Sequence, residues 1–125
     1  MRPVLPLAAL LLALLPLPAA AARPPAAYVE PGHVRLAVSS WCWTSRCGAP
    51  IAASGKPAVV ARGSLVRIQL AFTPSRVRVA VGGTAVRVLR HGSQISWRAT
   101  RGGGMTVNVT AGPGFVAYVG RLKLT

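Results

Sequence analysis

An alternation of apolar and polar side chains that recurs over residues 64–90 limits what this chain can fold into. Val66 and Ile68 alternate with Arg67 and Gln69, and the rhythm continues beyond a Thr-Pro-Ser turn. Successive side chains of a β-strand point to opposite faces, so a period of two predicts strands with one buried and one solvated face. Arginine occupies many of the polar positions, so the pattern also predicts a cationic surface.

The same alternation recurs along the rest of the chain, with turns about every ten residues and no helical period. It predicts an all-β domain at 33–125, a single seven-stranded antiparallel sandwich of immunoglobulin-like kind. A small β-barrel is the alternative. The inter-sheet Cys…Trp…Cys pattern of antibody domains is missing, because the two cysteines are only five positions apart. The predicted strands are 33–40, 64–72, 76–82, 84–90, 94–100, 105–110 and 115–124, with a short edge strand at 58–61.

The N-terminal residues have the parts of an export signal. A positive Arg2 precedes an apolar segment at 5–15, and small residues at 19–22 offer cleavage sites. We therefore predict a signal peptide at 1–22 and a secreted or periplasmic protein. An uncleaved membrane anchor is the alternative, although prolines interrupt the apolar segment. Residues 23–32 follow as a Pro-rich linker, because proline fixes φ and lacks a backbone donor.

Basic residues far outnumber acidic ones. The chain has 15 Lys and Arg but one acidic residue, Glu30, which gives a formal net charge of +14. Such a charge attracts anionic partners and repels cationic ones. The alternative is that the arginines reflect genome composition, because they are spread along the chain rather than clustered.

Cys42 and Cys47 are the two cysteines of the chain, and in an exported protein their spacing predicts one disulfide. Closing so short a loop contributes about 2 kcal/mol, so the bond is expected to rigidify a turn rather than to join two sheets. A zinc site would need more ligands, and the chain offers only His33 and His91. We therefore expect neither a metal nor another cofactor.

Trp41 and Trp43 are two positions apart and therefore share one face of a strand. If the alternation of the first strand continues, that face is solvated. The indoles, with Arg35 and Arg46, then form a stacking platform for a sugar, a base or a side chain. If a β-bulge at 39–40 shifts the register, one or both indoles enter the core instead.

The aromatic-Cys-Trp triplet at 41–43, followed by a second cysteine, resembles a motif of small exported bacterial β-sandwich proteins of unknown function. Segments 95–99, 105–109 and 116–118 are similar to that family too, so the resemblance covers most of 33–124. It implies an exported β-sandwich and brings no catalytic residues. This chain departs from the pattern in its brief spacer between the cysteines and in lacking an acidic residue after it.

Five arginines fall on solvated positions of successive predicted strands. If these strands share one sheet, the guanidinium groups form a face suited to phosphate or carboxylate polymers. If they alternate between two sheets, the charges surround the molecule. A separate, purely structural alternative is that they protect strand edges from aggregation. Nucleic acid is not the expected partner, because no aromatic residues lie among them. The five are Arg67, Arg76, Arg78, Arg87 and Arg98.

The chain lacks the residues that catalysis usually requires. Paired-carboxylate and Ser-His-Asp mechanisms need acidic groups, and Glu30 lies in the predicted linker. We therefore predict a non-enzymatic binding module for an anionic envelope polymer or an acidic protein. The alternative is a structural or accessory component of an exported assembly, which recognises a protein through an open sheet edge.

Overall fold

The computed structural model describes residues 23–125, and the predicted signal peptide at 1–22 lies outside them. Within 23–125 the chain is all-β, as the alternation predicts, and no helix there could cross a membrane. The strands in chain order are β1 (Tyr28–Glu30), β2 (Val34–Arg35), β3 (Ala37–Trp43), β4 (Arg46–Gly48), β5 (Ala58–Val60), β6 (Leu65–Gln69), β7 (Arg76–Val81), β8 (Thr84–Val86), β9 (Leu89–His91), β10 (Gln94–Arg98), β11 (Gly103–Ala111) and β12 (Gly114–Leu124).

The strands form two sheets that share one core. Sheet A has five strands in the order β2-β1-β6-β10-β9. Sheet B has the order β4-β3-β12-β11-β7-β8, and β5 pairs with β12 as its seventh strand. Paired strands are antiparallel except β5 and β12, which are parallel. The sheets do not close into a barrel, so the barrel alternative is not what forms.

The core sorts apolar side chains as the alternation predicts. Ile68 and Ile95 face each other in sheet A and are fully buried, and the same holds for Val107 and Tyr118 in sheet B. All four belong to one apolar cluster. Burying one such side chain contributes about 1.5–3 kcal/mol, so the cluster holds the two sheets together.

The folded domain begins earlier than the sequence indicates. Within the predicted linker 23–32, Tyr28–Glu30 forms β1, which lies between β2 and β6 in sheet A. Val29 is fully buried, and the Tyr118 hydroxyl donates a 2.6 Å hydrogen bond to the carbonyl oxygen of Pro25. The Pro-rich segment is therefore part of the fold. A strand of three residues between prolines is too short to show alternation, which is why the sequence conceals it.

The predicted strand at 84–90 is divided between the two sheets. Its first part, β8, pairs with β7 in sheet B, and its last part joins β9, which pairs with β10 in sheet A. The chain crosses from one sheet to the other at Arg87 and Val88. The predicted strand at 33–40 is divided in the same way between β2 and β3, and these two divisions, together with β1, β4 and β5, give twelve strands rather than the predicted seven.

Candidate functional site

The arginines are exposed but do not form one face. Every arginine and lysine within 23–125 is exposed, so their predicted outward placement is confirmed. Arg67 and Arg98 lie in sheet A, Arg76 and Arg78 lie in sheet B, and Arg87 lies in the crossing between the sheets. The predicted row of five is therefore split, and it presents no continuous cationic sheet face.

A β-bulge in β3 directs the side chains of both Trp41 and Trp43 into the core. The pairing of β3 with β12 skips Ser39, and Trp41 and Trp43 are consequently only 8% and 9% exposed. The Trp41 indole N–H donates a 2.9 Å hydrogen bond to the carbonyl oxygen of Ala49. The rings of Trp43 and Phe72 pack with centroids 4.8 Å apart. The bulge alternative therefore describes this corner, and no exposed stacking platform forms.

The predicted disulfide is confirmed. Cys42 and Cys47 are bonded and face each other on β3 and β4. The hairpin turn between these strands consists of Thr44 and Ser45, whose φ angles are 49° and 65°. Two positive φ angles are typical of a type I′ turn, whose twist suits a two-residue hairpin. Arg46 follows this turn as the first residue of β4.

A cleft of about 520 Å³ lies where the chain crosses from β8 to β9. It is lined by all three residues of β8 and by the consecutive residues Ser96, Trp97 and Arg98 of β10. It is termed the β8–β9 cleft; its arginines are Arg87, Arg98 and Arg101, and its apolar walls are Leu65, Val81, Val86, Leu89 and Trp97.

Three separate elements bring the arginines to the cleft. Arg98 lies on β10, and its Nη1 donates a 3.2 Å hydrogen bond to the carbonyl oxygen of Gly63. Arg101 follows β10, and its aliphatic chain lies beside Gly82 in the turn between β7 and β8. Arg87 lies in the crossing itself. The three guanidinium groups therefore depend on tertiary structure, and no local motif encodes them.

The cleft has no acidic side chain to neutralise it. Glu30, the single carboxylate side chain of the described residues, accepts a 2.7 Å hydrogen bond from the backbone N–H of His33. Its Oε2 lies 2.8 Å from His33 Nδ1, and this side-chain hydrogen bond lowers the pKa of the Glu30 carboxyl. Residues 23–125 also hold no group of three His, Cys, Asp or Glu that could bind a metal ion.

A second cationic depression has a different lining. Arg35, Lys56 and Arg121 surround about 340 Å³ that is otherwise lined by alanines, glycines and Val119. Arg121 Nη2 donates a 3.2 Å hydrogen bond to the carbonyl oxygen of Gly55. This depression offers positive charge without a large apolar surface, whereas the β8–β9 cleft offers both.

The β8–β9 cleft brings together only two of the predicted site residues, Arg87 and Arg98. Sequence reasoning missed Arg101, which borders a glycine turn, and Leu89. A signal for Leu89 was present, because the adjacent apolar residues Val88 and Leu89 interrupt the alternation where the chain crosses between the sheets. The remaining predicted arginines lie elsewhere, namely Arg35, Arg46, Arg67, Arg76 and Arg78.

Comparisons of the chain with protein-family models, curated proteins and solved structures find no match. Function must therefore be inferred from the geometry and charge of the described residues.

Proposed function

We propose that the protein is an exported, non-enzymatic, immunoglobulin-like binding module that holds a carboxylate or phosphate of an anionic partner in the β8–β9 cleft. The partner is an anionic envelope polymer or an acidic protein. The observation that carries this proposal is the presence of Arg87, Arg98 and Arg101 in the lining of one cleft that has no side-chain carboxylate. The apolar segment within 1–22 and the disulfide support export, as does the resemblance to small exported bacterial β-sandwich proteins.

Three arginines in the lining of one cleft favour an anion for physical reasons. Their planar donors match carboxylate and phosphate geometry. Apolar walls lower the effective dielectric constant near the charges, which strengthens each contact relative to the open surface. An ion pair at an exposed site contributes about 0.2–1 kcal/mol, so measurable affinity requires two or three of these exposed arginines to bind the anion together.

A matched pair of triple variants tests the proposal. The cleft variant carries Arg87→Gln, Arg98→Gln and Arg101→Gln. The control variant carries Arg46→Gln, Arg76→Gln and Arg78→Gln, which remove the same charge from strands of sheet B. Isothermal titration with heparin and with poly-glutamate measures affinity over a salt series. We expect the cleft variant to lose affinity at least about tenfold, which is about 1.4 kcal/mol, and the control to lose less than about threefold.

Two results would contradict the proposal. Equal losses in both variants would mean that net charge rather than the cleft attracts the polyanion. An affinity that does not change with salt would exclude electrostatic binding altogether, because neutralised anions release counterions on binding.

A second candidate is a structural or accessory component of an exported assembly. The outer edges of β8 and β9, which end sheets B and A, have no strand partner within 23–125. Such edges can pair with a strand of another protein. A pull-down that survives high salt and is unchanged in the cleft variant would favour this candidate over the first.

A further inference from the structure

We propose that the partner presents an extended peptide segment of alternating acidic and apolar residues, which adds as a strand to the free edge of β8. This inference rests on the proposed function, because arginines of the same cleft bind the acidic side chains. It adds the chemical class of the partner, a polypeptide, and the mode of binding.

The free edge of β8 opens onto the cleft. β8 ends sheet B and pairs only with β7, where Val81 faces Thr84. All three residues of β8 line the cleft, and Thr84 and Ala85 are exposed. Within 23–125, Arg87 and Val88 make no backbone hydrogen bonds that would extend β8 or cover it. An added strand satisfies the unpaired backbone groups of a free edge with main-chain hydrogen bonds.

The apolar walls call for an apolar component in the partner. Val81 and Trp97 are buried beneath the cleft, whereas Leu89 is 72% exposed at its mouth. Side chains of an added strand alternate between two sides, so one set packs against these walls. The other set meets the long side chains of Arg87 and Arg101, for which alternate acidic residues are the matching chemistry.

An acidic and apolar peptide fits the cleft and the edge of β8 better than two other occupants, a second copy of the chain and an anionic polysaccharide. A second copy of the chain would carry the same formal net charge of +14, and the two copies would repel each other. An anionic polysaccharide would use the arginines but would leave the strand edge and the exposed Leu89 unused. An acidic peptide with alternate apolar residues uses the charge, the apolar walls and the edge together.

Peptide probes separate strand addition from simple charge attraction. The parent probe is a blocked hexapeptide of three Val-Glu repeats. Two analogues carry N-methyl groups either on the three valines or on the three glutamates, which removes the donors along one edge of the strand. Hexaglutamate carries more charge but no apolar residue. Fluorescence anisotropy of labelled peptides measures affinity, and hydrogen–deuterium exchange of the complex reports on the amides of Thr84–Val86.

We expect the parent probe to bind most tightly. One N-methylated analogue should lose at least about tenfold in affinity, whereas the affinity of the other should stay within about threefold of the parent. The reason is that only one edge of the added strand faces β8. At least one amide of Thr84–Val86 should exchange more slowly in the complex. Equal affinity of the parent and both analogues would overturn strand addition, and so would hexaglutamate binding as tightly as the parent. If the cleft variant still weakens binding in those cases, the anion site stands without the strand.

A matched pair of single variants tests the apolar part of the site. Leu89→Glu places a carboxylate at the mouth of the cleft, and Val59→Glu places one on β5, where the native side chain is 50% exposed. Both positions are exposed, so neither change should prevent folding. Leu89→Glu should weaken the parent probe at least about tenfold and Val59→Glu less than about threefold. Equal effects would contradict the docking of the peptide beside Leu89.

Discussion

Sheet B ends in β4 on one side and in β8 on the other. Each of these end strands belongs to a β-hairpin with a two-residue turn. At the β4 end a disulfide joins the paired strands, and Trp41 and Trp43 fold into the core. Gly48 on β4 leaves the space that the Trp41 ring occupies. At the β8 end there is no such cross-link, and Leu89 stays exposed beside three arginines.

This difference indicates that the domain stabilises the edge of sheet B at β4 and leaves the edge at β8 accessible to another chain. Edge strands tend to pair with other chains, and proteins protect them with cross-links, bulges or charge. The β4 end uses the bulge, the disulfide and buried indoles, whereas the β8 end relies on charge alone. Arginine protects an edge against strands that lack acidic residues, while it attracts those that carry them. The same residues can therefore protect the edge and select a partner.

The largest expected difference between the two ends is in the free energy of unfolding. Trp41→Ala should cost about 3–5 kcal/mol, because it removes a buried indole and leaves a cavity. Leu89→Ala should change stability by less than about 0.5 kcal/mol, because its side chain is already exposed. Urea denaturation followed by circular dichroism compares the two variants. A cost below about 1 kcal/mol for Trp41→Ala would mean that the indole does not stabilise this end.

The disulfide should have the next largest effect. Replacing both Cys42 and Cys47 by alanine should lower the free energy of unfolding by about 2 kcal/mol, because the bond closes only a short loop. The reduced wild-type protein serves as a control and should lose a similar amount. Anion affinity should stay within about threefold of the wild type. A larger loss of affinity would show that the β4 end and the β8–β9 cleft are energetically coupled rather than independent.

Periodicity predicts the parts of this fold that depend on one strand at a time. The outward placement of arginine and the burial of Val66 and Ile68 follow directly from a period of two. The turns follow from glycine and from short polar segments. Periodicity says nothing about which sheet a strand joins, because both sheets bury one face. The sequence therefore could not predict that Arg67 and Arg76 lie in different sheets.

The candidate site was less predictable than the fold for the same reason. Arg87, Arg98 and Arg101 line one cleft only because the chain crosses between the sheets at Arg87 and Val88 and leaves an open edge on each side. The burial of the two indoles depends on one unpaired residue, Ser39. It reverses the direction in which every later side chain of β3 points. A single insertion of this kind leaves no compositional trace, so the sequence supports both registers until the pairing is known.

The two hairpin turns at the ends of sheet B allow the finest comparison. Thr44 and Ser45 have φ angles of 49° and 65°, and Gly82 and Gly83 in the other turn have φ angles of 58° and 79°. A side chain at positive φ costs about 1–2 kcal/mol, while glycine loses about 0.5–1 kcal/mol of additional conformational entropy on folding. Ser45→Gly should therefore stabilise the protein by about 0.5–1 kcal/mol, and Gly83→Ser should destabilise it by a similar amount.

The Gly83→Ser change isolates the backbone, because a Cβ at Gly83 would have no atom within 4 Å. Thermal and urea denaturation of the two single variants and of the double variant measure both effects. The double variant should return close to the wild-type stability, since the turns lie in different hairpins and distant changes usually add. If both single changes shifted stability in the same direction, the two turns would not share the type I′ geometry, and the two ends of sheet B would differ in their backbones as well as in their side chains.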